Sequence, residues 1–266
     1  MMPWFFQYVV PEGVPLIGGQ DLSLPSFFFF LTVGYMLATG IVVREAERSH
    51  QPVRESLDRS LTWLLVGLVG ARLGYVLTHT PSYYVAHPGA LLDLWQGSLT
   101  FFTGLLLVAV VGYLLARRRH TSFWLWADMY TAPLAFAMIF GHVGCLSAGA
   151  LHGKPIDFGG VEWPWGITSY GGQVPGPLLG VVLHPAAIYL ALVDVALFLW
   201  VTHLRGKSLV EGQVFLRWLL AFAVGRVLVG LVIFTPGGAL LDVGGMMAAG
   251  AAVVAAILLF RRPAVR

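Results

Sequence analysis

The stretch from Phe140 to Tyr189 is FGHVGCLSAGALHGKPIDFGGVEWPWGITSYGGQVPGPLLGVVLHPAAIY. It brings glycines, histidines and the single cysteine of the chain together between two long apolar runs. Small residues that permit close approach of helices or backbone recur at Gly141, Gly144, Gly149 and Gly153. Polar residues at a break between two membrane spans usually form a site, so we expect the functional centre here.

The composition of the chain is that of a membrane protein. Hydrophobic residues make up 58% and charged residues 11% of the 266 residues, and the mean hydropathy is +0.79. Apolar runs of about 20 residues, the length that crosses a bilayer as a helix, recur along the chain. We therefore predict an all-α polytopic membrane protein, with residues 1–266 forming a single integral membrane domain. One cysteine excludes an internal disulfide and a multi-cysteine zinc site.

The apolar runs predict about seven transmembrane helices. They cover approximately Leu22–Val43, Leu61–Thr78, Ser98–Ala116, Phe123 to the glycine-rich segment, Leu183–His203, Val210–Phe234 and a last run that ends at Arg261. The basic residues lie mostly between these runs, where they report orientation in the membrane rather than nucleic-acid binding.

The loops differ sharply in positive charge. Twelve lysines and arginines fall in the loops of one side, whereas Lys154 is alone on the other side. Positive loops stay in the cytoplasm. We therefore predict an outside amino terminus, a cytoplasmic carboxyl terminus and an extracytoplasmic loop at about residues 150–182.

Three arginines fall within the predicted spans. Arg217 lies close enough to the cytoplasmic end for its side chain to reach the interface. Arg72 and Arg226 lie deeper, where a charge costs on the order of 3 kcal/mol. Each therefore needs an anionic partner, which is either a lipid phosphate or a carboxylate such as Asp128 or Asp194.

Several motifs are similar to those of one bacterial family. GHVGCLSAGALHGKP, at residues 141–155, is similar to a signature written GRxGNFxNxExxGxP, and ARLGYVL, HPAAIY and GRVL follow the same order and spacing as further family segments. The chain thus resembles the prolipoprotein diacylglyceryl transferases of the bacterial inner membrane. These enzymes move diacylglyceryl from phosphatidylglycerol to the cysteine thiol of a lipoprotein precursor. The resemblance implies anionic phospholipid and prolipoprotein signal peptides as partners, and no cofactor or nucleic acid.

The resemblance also implies a set of site residues. A lipid headgroup is expected to bind Arg72, Arg226, Lys154 and His184. Structural or lining roles are expected for Asp128, Gly141, Gly144, Cys145, Gly153, Tyr189 and Phe102. His184 precedes a proline at the start of a span, so anchoring of the loop is an alternative role for it.

The polar positions of the signature differ from the family pattern. Where the signature has Arg, Asn, Asn and Glu, this chain has His142, Cys145, Ala148 and Ala150. Phe102 stands at the position of a histidine regarded as essential, and a phenyl ring cannot take up a proton. The resemblance therefore implies a divergent member with weak or altered activity.

His142 is the candidate catalytic residue, because an imidazole is readily poised for proton transfer near neutral pH. A structural histidine bonded to a backbone carbonyl is the alternative. Cys145 is a candidate nucleophile or a buried small side chain. No metal site is expected, because Gly149 and Gly153 disfavour the helix that would align His142, Cys145 and His152 as ligands.

Three functions remain open at this stage. The chain is a diacylglyceryl transferase with replaced catalytic groups, a silent relative that binds phospholipid or lipoprotein, or a different lipid transferase that uses the same cavity. Transport is disfavoured, because the two halves of the sequence show no internal repeat.

The charge asymmetry makes a direct prediction about topology. A reporter fused after Gly171 is expected to be active only when it lies outside the cytoplasm, and one fused after Lys207 only inside. Paired phosphatase and fluorescent-protein fusions would measure this. The opposite pattern would contradict the predicted orientation.

Overall fold

Seven long helices dominate a computed structural model of the chain, which describes residues 14–15, 23–24, 26–78, 81–91, 99–156, 165–168, 178, 180–207, 210–235 and 238–261. All seven are long and apolar enough to cross a membrane. They are α1 (Ser26–Arg48), α2 (Val53–Thr78), α4 (Phe101–Arg118), α5 (Phe123–Ser147), α6 (Ala186–Leu204), α7 (Gln213–Gly230) and α8 (Val243–Arg261). This confirms the prediction of an all-α polytopic membrane protein.

Two helices are longer than their apolar runs. The predicted charged loop at residues 44–60 shrinks to residues 49–52, because α1 and α2 continue into it from both sides. Helical hydrogen bonds continue past the apolar run wherever no residue interrupts them and the charged side chains can reach water. Arg59 therefore lies on a helix, contrary to its predicted place in a loop, and is largely buried.

Other boundaries also differ from the prediction. The interval 80–97 contains a short helix α3 (Pro81–Ala86) and a 3₁₀ turn at Pro88–Leu91, while residues 92–98 lie outside the described part. The sixth span begins at Gln213 rather than at Val210, because Gly212 adopts a left-handed conformation with φ 89° and starts the helix there.

The core lies where α5, α6, α7 and α8 meet. Trp218 and Phe222 stack on α7 with ring centroids 5.4 Å apart, and both are almost fully buried. Phe102 on α4 packs against Phe222, with the ring centroids 5.9 Å apart. This position, which the resemblance relates to an essential histidine, thus belongs to an aromatic cluster in the core.

Helices α2 and α4 pack closely along small residues. A Cβ atom placed on Gly104 would lie 2.6 Å from the carbonyl oxygen of Gly67, and one on Gly74 would overlap Thr103. Main chains approach this closely only where side chains are absent. The other extensive helix contacts join α1 with α5, α5 with α6, and α7 with α8.

The two ends of the bundle differ in structure. At one end, which we call the site end, residues 148–156, 231–235 and 238–242 lie beside the starts of α6 and α8. Two short antiparallel ladders also occur, β1 (Val14–Pro15) with β2 (Ser23–Leu24), and β3 (Ile167–Thr168) with β4 (Val182–Leu183). The other end, called the basic end, carries the connections at 49–52 and 119–122 and the described residues 205–207 and 210–212.

Asp128 links two helices at the basic end. Its carboxylate accepts hydrogen bonds from the backbone N–H groups of Gly212 at 2.7 Å and Phe215 at 2.8 Å. These groups belong to the first turn of α7, where a carboxylate is favoured by unpaired N–H groups and the helix dipole. Asp128 is therefore a helix cap and does not pair with Arg72 or Arg226, although the sequence offered it as a partner for both.

Candidate functional site

His142 and Asp194 form a buried pair between α5 and α6. Nδ1 of His142 lies 2.5 Å from Oδ2 of Asp194, and the side chains are 11% and 1% exposed. When the Asp194 carboxylate is ionised it can only accept, so the proton of this hydrogen bond then lies on Nδ1 of His142. The sequence offered a backbone carbonyl as the structural partner of His142 and an arginine as the partner of Asp194. Neither contact is found among the described residues, because Nδ1 of His142 bonds to Oδ2 of Asp194 instead; Oδ1 of Asp194 is buried and has no hydrogen-bond partner there.

Arg226 forms a second pair near the end of α7. Its Nη2 atom lies 2.5 Å from Oδ2 of Asp242, which stands directly before the first residue of α8. Asp242 also accepts a hydrogen bond from the backbone N–H of Gly245, so it caps α8 while it binds the guanidinium. Nη1 of Arg226 is buried and has no hydrogen-bond partner among the described residues. The carboxylate partner of Arg226 is thus neither of the two that the sequence suggested.

The segment from His152 to Ile156 joins three parts of the site end. The backbone N–H of Lys154 donates to the carbonyl of Val232 at 2.7 Å, and the backbone N–H of His184 donates to the carbonyl of Lys154 at 3.1 Å. Nζ of Lys154 donates to the carbonyl of Leu231 at 2.8 Å. Lys154 and His184 are therefore neighbours beside the end of the helix that carries Arg226.

Gly153 is required by this packing. A Cβ atom at Gly153 would lie 2.1 Å from the carbonyl oxygen of His184. Gly144 likewise faces the main chain of Phe27 on α1, where a Cβ atom would lie 3.2 Å from the carbonyl oxygen. The close approach expected of these two glycines is present, whereas Gly141 faces open space and Gly149 serves a turn with φ 64°.

Two histidines of the site end, His152 and His184, lie outside the spans. Burial lowers the pKa of His152 and also that of His184, which favours the neutral imidazole. Nδ1 of His184 lies 3.3 Å from the hydroxyl of Tyr189. A neutral imidazole offers a phosphate one hydrogen bond rather than a charge. Among the described residues, the positive charge at this end therefore comes from Arg226, Lys154 and Arg72.

Arg72 is held by a different set of contacts. Its Nη2 and Nε atoms donate to the carbonyl oxygens of Ala90 at 2.8 Å and Leu91 at 3.3 Å. The guanidinium also lies 5.4 Å from the ring centroid of Tyr84. Arg72 thus fastens the 3₁₀ turn that follows α3, which is a structural role that the sequence did not suggest.

Cys145 lies near both buried pairs. It is half-buried on α5, one turn after His142. The charged groups that act on its thiol are Arg226 and Asp194. The structure therefore brings together His142 and Cys145 of α5, Asp194 of α6, Arg226 of α7 and Asp242, which directly precedes α8.

Comparison with known proteins decides the family. The family model described as prolipoprotein diacylglyceryl transferase matches residues 17–261. This chain belongs to the prolipoprotein diacylglyceryl transferase family. The match confirms the family that the signature, the second-span motif and the later segments suggested.

Individual relatives agree over most of the chain. A phosphatidylglycerol–prolipoprotein diacylglyceryl transferase from Bordetella parapertussis is 29% identical over 227 residues, which are 84% of this chain and 82% of the relative. One from Roseobacter denitrificans is 28% identical over 78% of this chain and 74% of the relative. One from Solidesulfovibrio magneticus is 36% identical over 59% of this chain and 57% of the relative.

Sequence reasoning missed one carboxylate of this diacylglyceryl transferase homologue and misassigned another. Asp242 follows the sixth span in a loop, where an acidic residue needs no explanation, so nothing marked it as the partner of Arg226. Asp194 is the only acidic residue of α6. That isolation was a usable signal for a buried partner, but the spacing alone could not distinguish His142 from an arginine.

The close contact at Gly153 generates a stability prediction. We expect Gly153→Ala to lower the thermal unfolding temperature in detergent, because the added methyl overlaps a backbone carbonyl and relieving such overlap costs about 1–3 kcal/mol. Gly141→Ala is the matched control, since it faces open space within a helix and is expected to be neutral or slightly stabilising. Equal unfolding temperatures for the two variants would contradict the packing described here.

Proposed function

We propose that this protein binds phosphatidylglycerol at the site end and transfers its diacylglyceryl group to a prolipoprotein cysteine at a low rate, with His142 as the base. The observation that carries this proposal is the pairing of His142 with Asp194. The pair supplies an oriented proton acceptor in a site whose other catalytic positions, by resemblance, have lost their polar groups.

The proposed step exchanges one bond for another. The acceptor thiol gives its proton to Nε2 of His142, and the thiolate forms a C–S bond to the glycerol carbon of the lipid. The C–O bond between that carbon and the phosphate breaks, and the glycerol phosphate leaves with the electron pair. Asp194 holds the proton on Nδ1 and stabilises the imidazolium that forms, which makes it a positioning residue.

The phosphate is assigned to Arg226, supported by Lys154. Nη1 of Arg226 is buried and unpartnered within the described residues, so one donor of the guanidinium remains available. Lys154 adds a second positive charge beside the end of α7, and His184 adds a neutral donor. Arg72 completes the predicted headgroup set, although its observed contacts favour a structural role.

The setting of this chemistry follows from the charge distribution. We infer a single domain of residues 1–266 in the bacterial inner membrane, with the site end facing out and the basic end in the cytoplasm. The loop at about 150–182 then lies outside, where signal peptides of exported prolipoproteins emerge. The aromatic and aliphatic faces of the bundle provide the surroundings for two acyl chains.

A transfer assay tests the catalytic assignment. We expect the purified protein to transfer diacylglyceryl from phosphatidylglycerol to a lipobox peptide slowly, because each missing transition-state hydrogen bond costs about 2.7–4 kcal/mol in barrier height. His142→Gln is expected to abolish the remaining turnover. Asp194→Asn is expected to lower kcat by a factor on the order of 10² to 10⁴, because the imidazole loses its oriented tautomer. Mass spectrometry of the peptide measures the product.

The matched control is His203→Gln, which makes the same substitution at an exposed position on α6 near the basic end. It is expected to leave turnover unchanged. Turnover that survives His142→Gln would show that another group takes the thiol proton, and fast turnover in the wild type would show that the replaced positions are compensated elsewhere.

A catalytically silent lipid-binding relative is the second candidate. The ion pair of Arg226 with Asp242 favours this silent function, because Nη2 of the guanidinium is already bonded to a carboxylate. In that case the protein retains phospholipid or lipoprotein and does not transfer the lipid. Absence of product together with selective retention of phosphatidylglycerol would identify this function.

Lipid retention tests the headgroup assignment. We expect Arg226→Ala to weaken binding of phosphatidylglycerol by about 1.5–3 kcal/mol, the range for a hydrogen bond to a charged group. Arg217→Ala on the same helix is the control, because that side chain bonds to Gln213 one turn away near the basic end. Native mass spectrometry from mixed-lipid nanodiscs measures retention. Unchanged retention in Arg226→Ala would show that Asp242 accounts for Arg226 completely.

A further inference from the structure

Charged residues line an open cavity at the basic end, far along the helices from His142 and Arg226. It has a volume of about 160 Å³ and lies between α2, α5 and the end of α4. Arg59 and Asp58 line it from α2, and Trp126 lines it from α5. The proposed transfer reaction uses none of these side chains.

The inner wall of this cavity presents two donors without acceptors. Arg59 is 8% exposed and Trp126 is 3% exposed. Nη1 of Arg59 and Nε1 of Trp126 have no hydrogen-bond partner among the described residues. A buried donor left unpaired costs about 1–3 kcal/mol, so an acceptor is expected at this place.

The contacts of Arg59 fix its guanidinium in place. Nε donates to the carbonyl oxygen of Glu55 at 3.0 Å, and the guanidinium carbon lies 4.7 Å from the ring centroid of Trp126. The guanidinium stacks on the indole and donates through Nε, so Nη1 is the nitrogen that can still donate to a ligand. The donor group is thus oriented before any ligand arrives.

The outer part of the cavity carries two carboxylates and one guanidinium. Glu55, Asp58 and Arg119 all line it, and all three are exposed. Oε2 of Glu55 lies 3.2 Å from Nη1 of Arg119 and 3.7 Å from Nη2 of Arg59. The Asp58 carboxylate forms no salt bridge within the described chain. A ligand with a deep negative group and an outer positive group complements this arrangement. A purely anionic ligand would meet the two carboxylates.

The depth of the cavity matches that of a lipid headgroup. Arg59 lies in the second turn of α2, about 9 Å from the first residue of the helix by the rise per residue. Farther along α2, Leu65 is 54% and Val69 is 55% exposed. A lipid whose headgroup entered the cavity would lay its acyl chains along these exposed apolar side chains.

We propose that this cavity binds the headgroup of an aminophospholipid such as phosphatidylethanolamine. Arg59 and Trp126 donate hydrogen bonds to the phosphate, and Asp58 and Glu55 accept hydrogen bonds from the primary ammonium group. This lipid is bound at the basic end and is distinct from the lipid that the proposed transfer reaction consumes.

Selective retention of lipid by the full-length protein tests this site. Nanodiscs with equal amounts of phosphatidylethanolamine and phosphatidylcholine are dissolved in mild detergent, and native mass spectrometry counts the retained lipids. We expect the wild type to retain phosphatidylethanolamine preferentially, because a trimethylated ammonium cannot donate hydrogen bonds to the carboxylates. Arg59→Gln is expected to weaken its retention about tenfold. Asp58→Asn, at an exposed site, is expected to weaken it by a factor of about two to five.

Further variants separate recognition from loss of fold. Trp126→Phe keeps the ring and removes only the N–H group, so it is expected to weaken retention without lowering the unfolding temperature substantially. Arg44→Gln and Glu47→Gln change exposed charges on α1 at the same end and serve as matched controls. Both controls are expected to retain lipid as the wild type does.

Three outcomes would overturn the proposal. Equal retention of the two lipids by the wild type would exclude recognition of the ammonium group. Retention of phosphatidylethanolamine that is unaffected by both Arg59→Gln and Trp126→Phe would place its binding elsewhere. Displacement of the lipid by inorganic phosphate as effectively as by free phosphoethanolamine would reduce the cavity to a simple anion site.

Discussion

Pairing of charges inside an apolar bundle is the constraint on which this structure depends. A bilayer core provides no water for an ionised side chain, so each charged group in a span must find its partner within the protein or in a lipid headgroup. Within the described residues, three arrangements between spans show how such partners are found. They are the His142–Asp194 pair, the Arg226–Asp242 pair, and Asp128 bonded to the first turn of α7. Each arrangement joins residues distant in sequence and so fixes neighbouring spans relative to each other.

These pairs also differ in what they leave available for chemistry. Asp194 engages only Nδ1 of His142 through a single oxygen, so the second ring nitrogen can still exchange a proton. Asp242 binds one amino group of Arg226 and caps α8 at the same time, so one donor of the guanidinium remains buried and unpartnered within the described residues. Asp128, by contrast, uses both oxygens on backbone N–H groups. Both oxygens of Asp128 are therefore bonded without a ligand. The other two arrangements leave Nε2 of His142 and Nη1 of Arg226 available at the site end.

The two ends of the bundle combine charge with shape in different ways. At the site end, backbone hydrogen bonds hold the segment around Gly153 against His184 and the residues after α7, and cationic side chains stand beside this layer. At the basic end, α1 and α2 extend past their apolar runs and carry mixed charges on helices. Arg205 donates from Nε to Glu45 at 2.6 Å there, which ties α6 to α1. Backbone hydrogen bonds and the Arg226–Asp242 pair thus hold the site end together, while the basic end combines the Arg205–Glu45 ion pair with the backbone hydrogen bonds to Asp128.

The sequence alone determined the class, the number of spans and the family of this protein. Long apolar runs allow only spanning helices in a bilayer, and the motif GHVGCLSAGALHGKP with its downstream segments is specific enough to identify a family. It also predicted close packing at Gly141, Gly144, Gly149 and Gly153, and the structure shows it at Gly144 and Gly153 but not at Gly141 or Gly149. These conclusions depend on local composition and on order along the chain, which a sequence contains directly.

Only the tertiary structure decided which charged groups meet. His142 and Asp194 are 52 residues apart, and Glu55 and Arg119 are 64 apart, so their contacts depend on how helices are rotated about their axes. A rotation of a helix by one residue turns a side chain through about 100° without changing the composition of the span. Hydropathy therefore cannot tell Asp242 from Asp128 or Asp194 as the partner of Arg226. The sequence also could not predict the cavity around Arg59, because the hydropathy pattern places this residue in a loop, whereas the structure places it on α2.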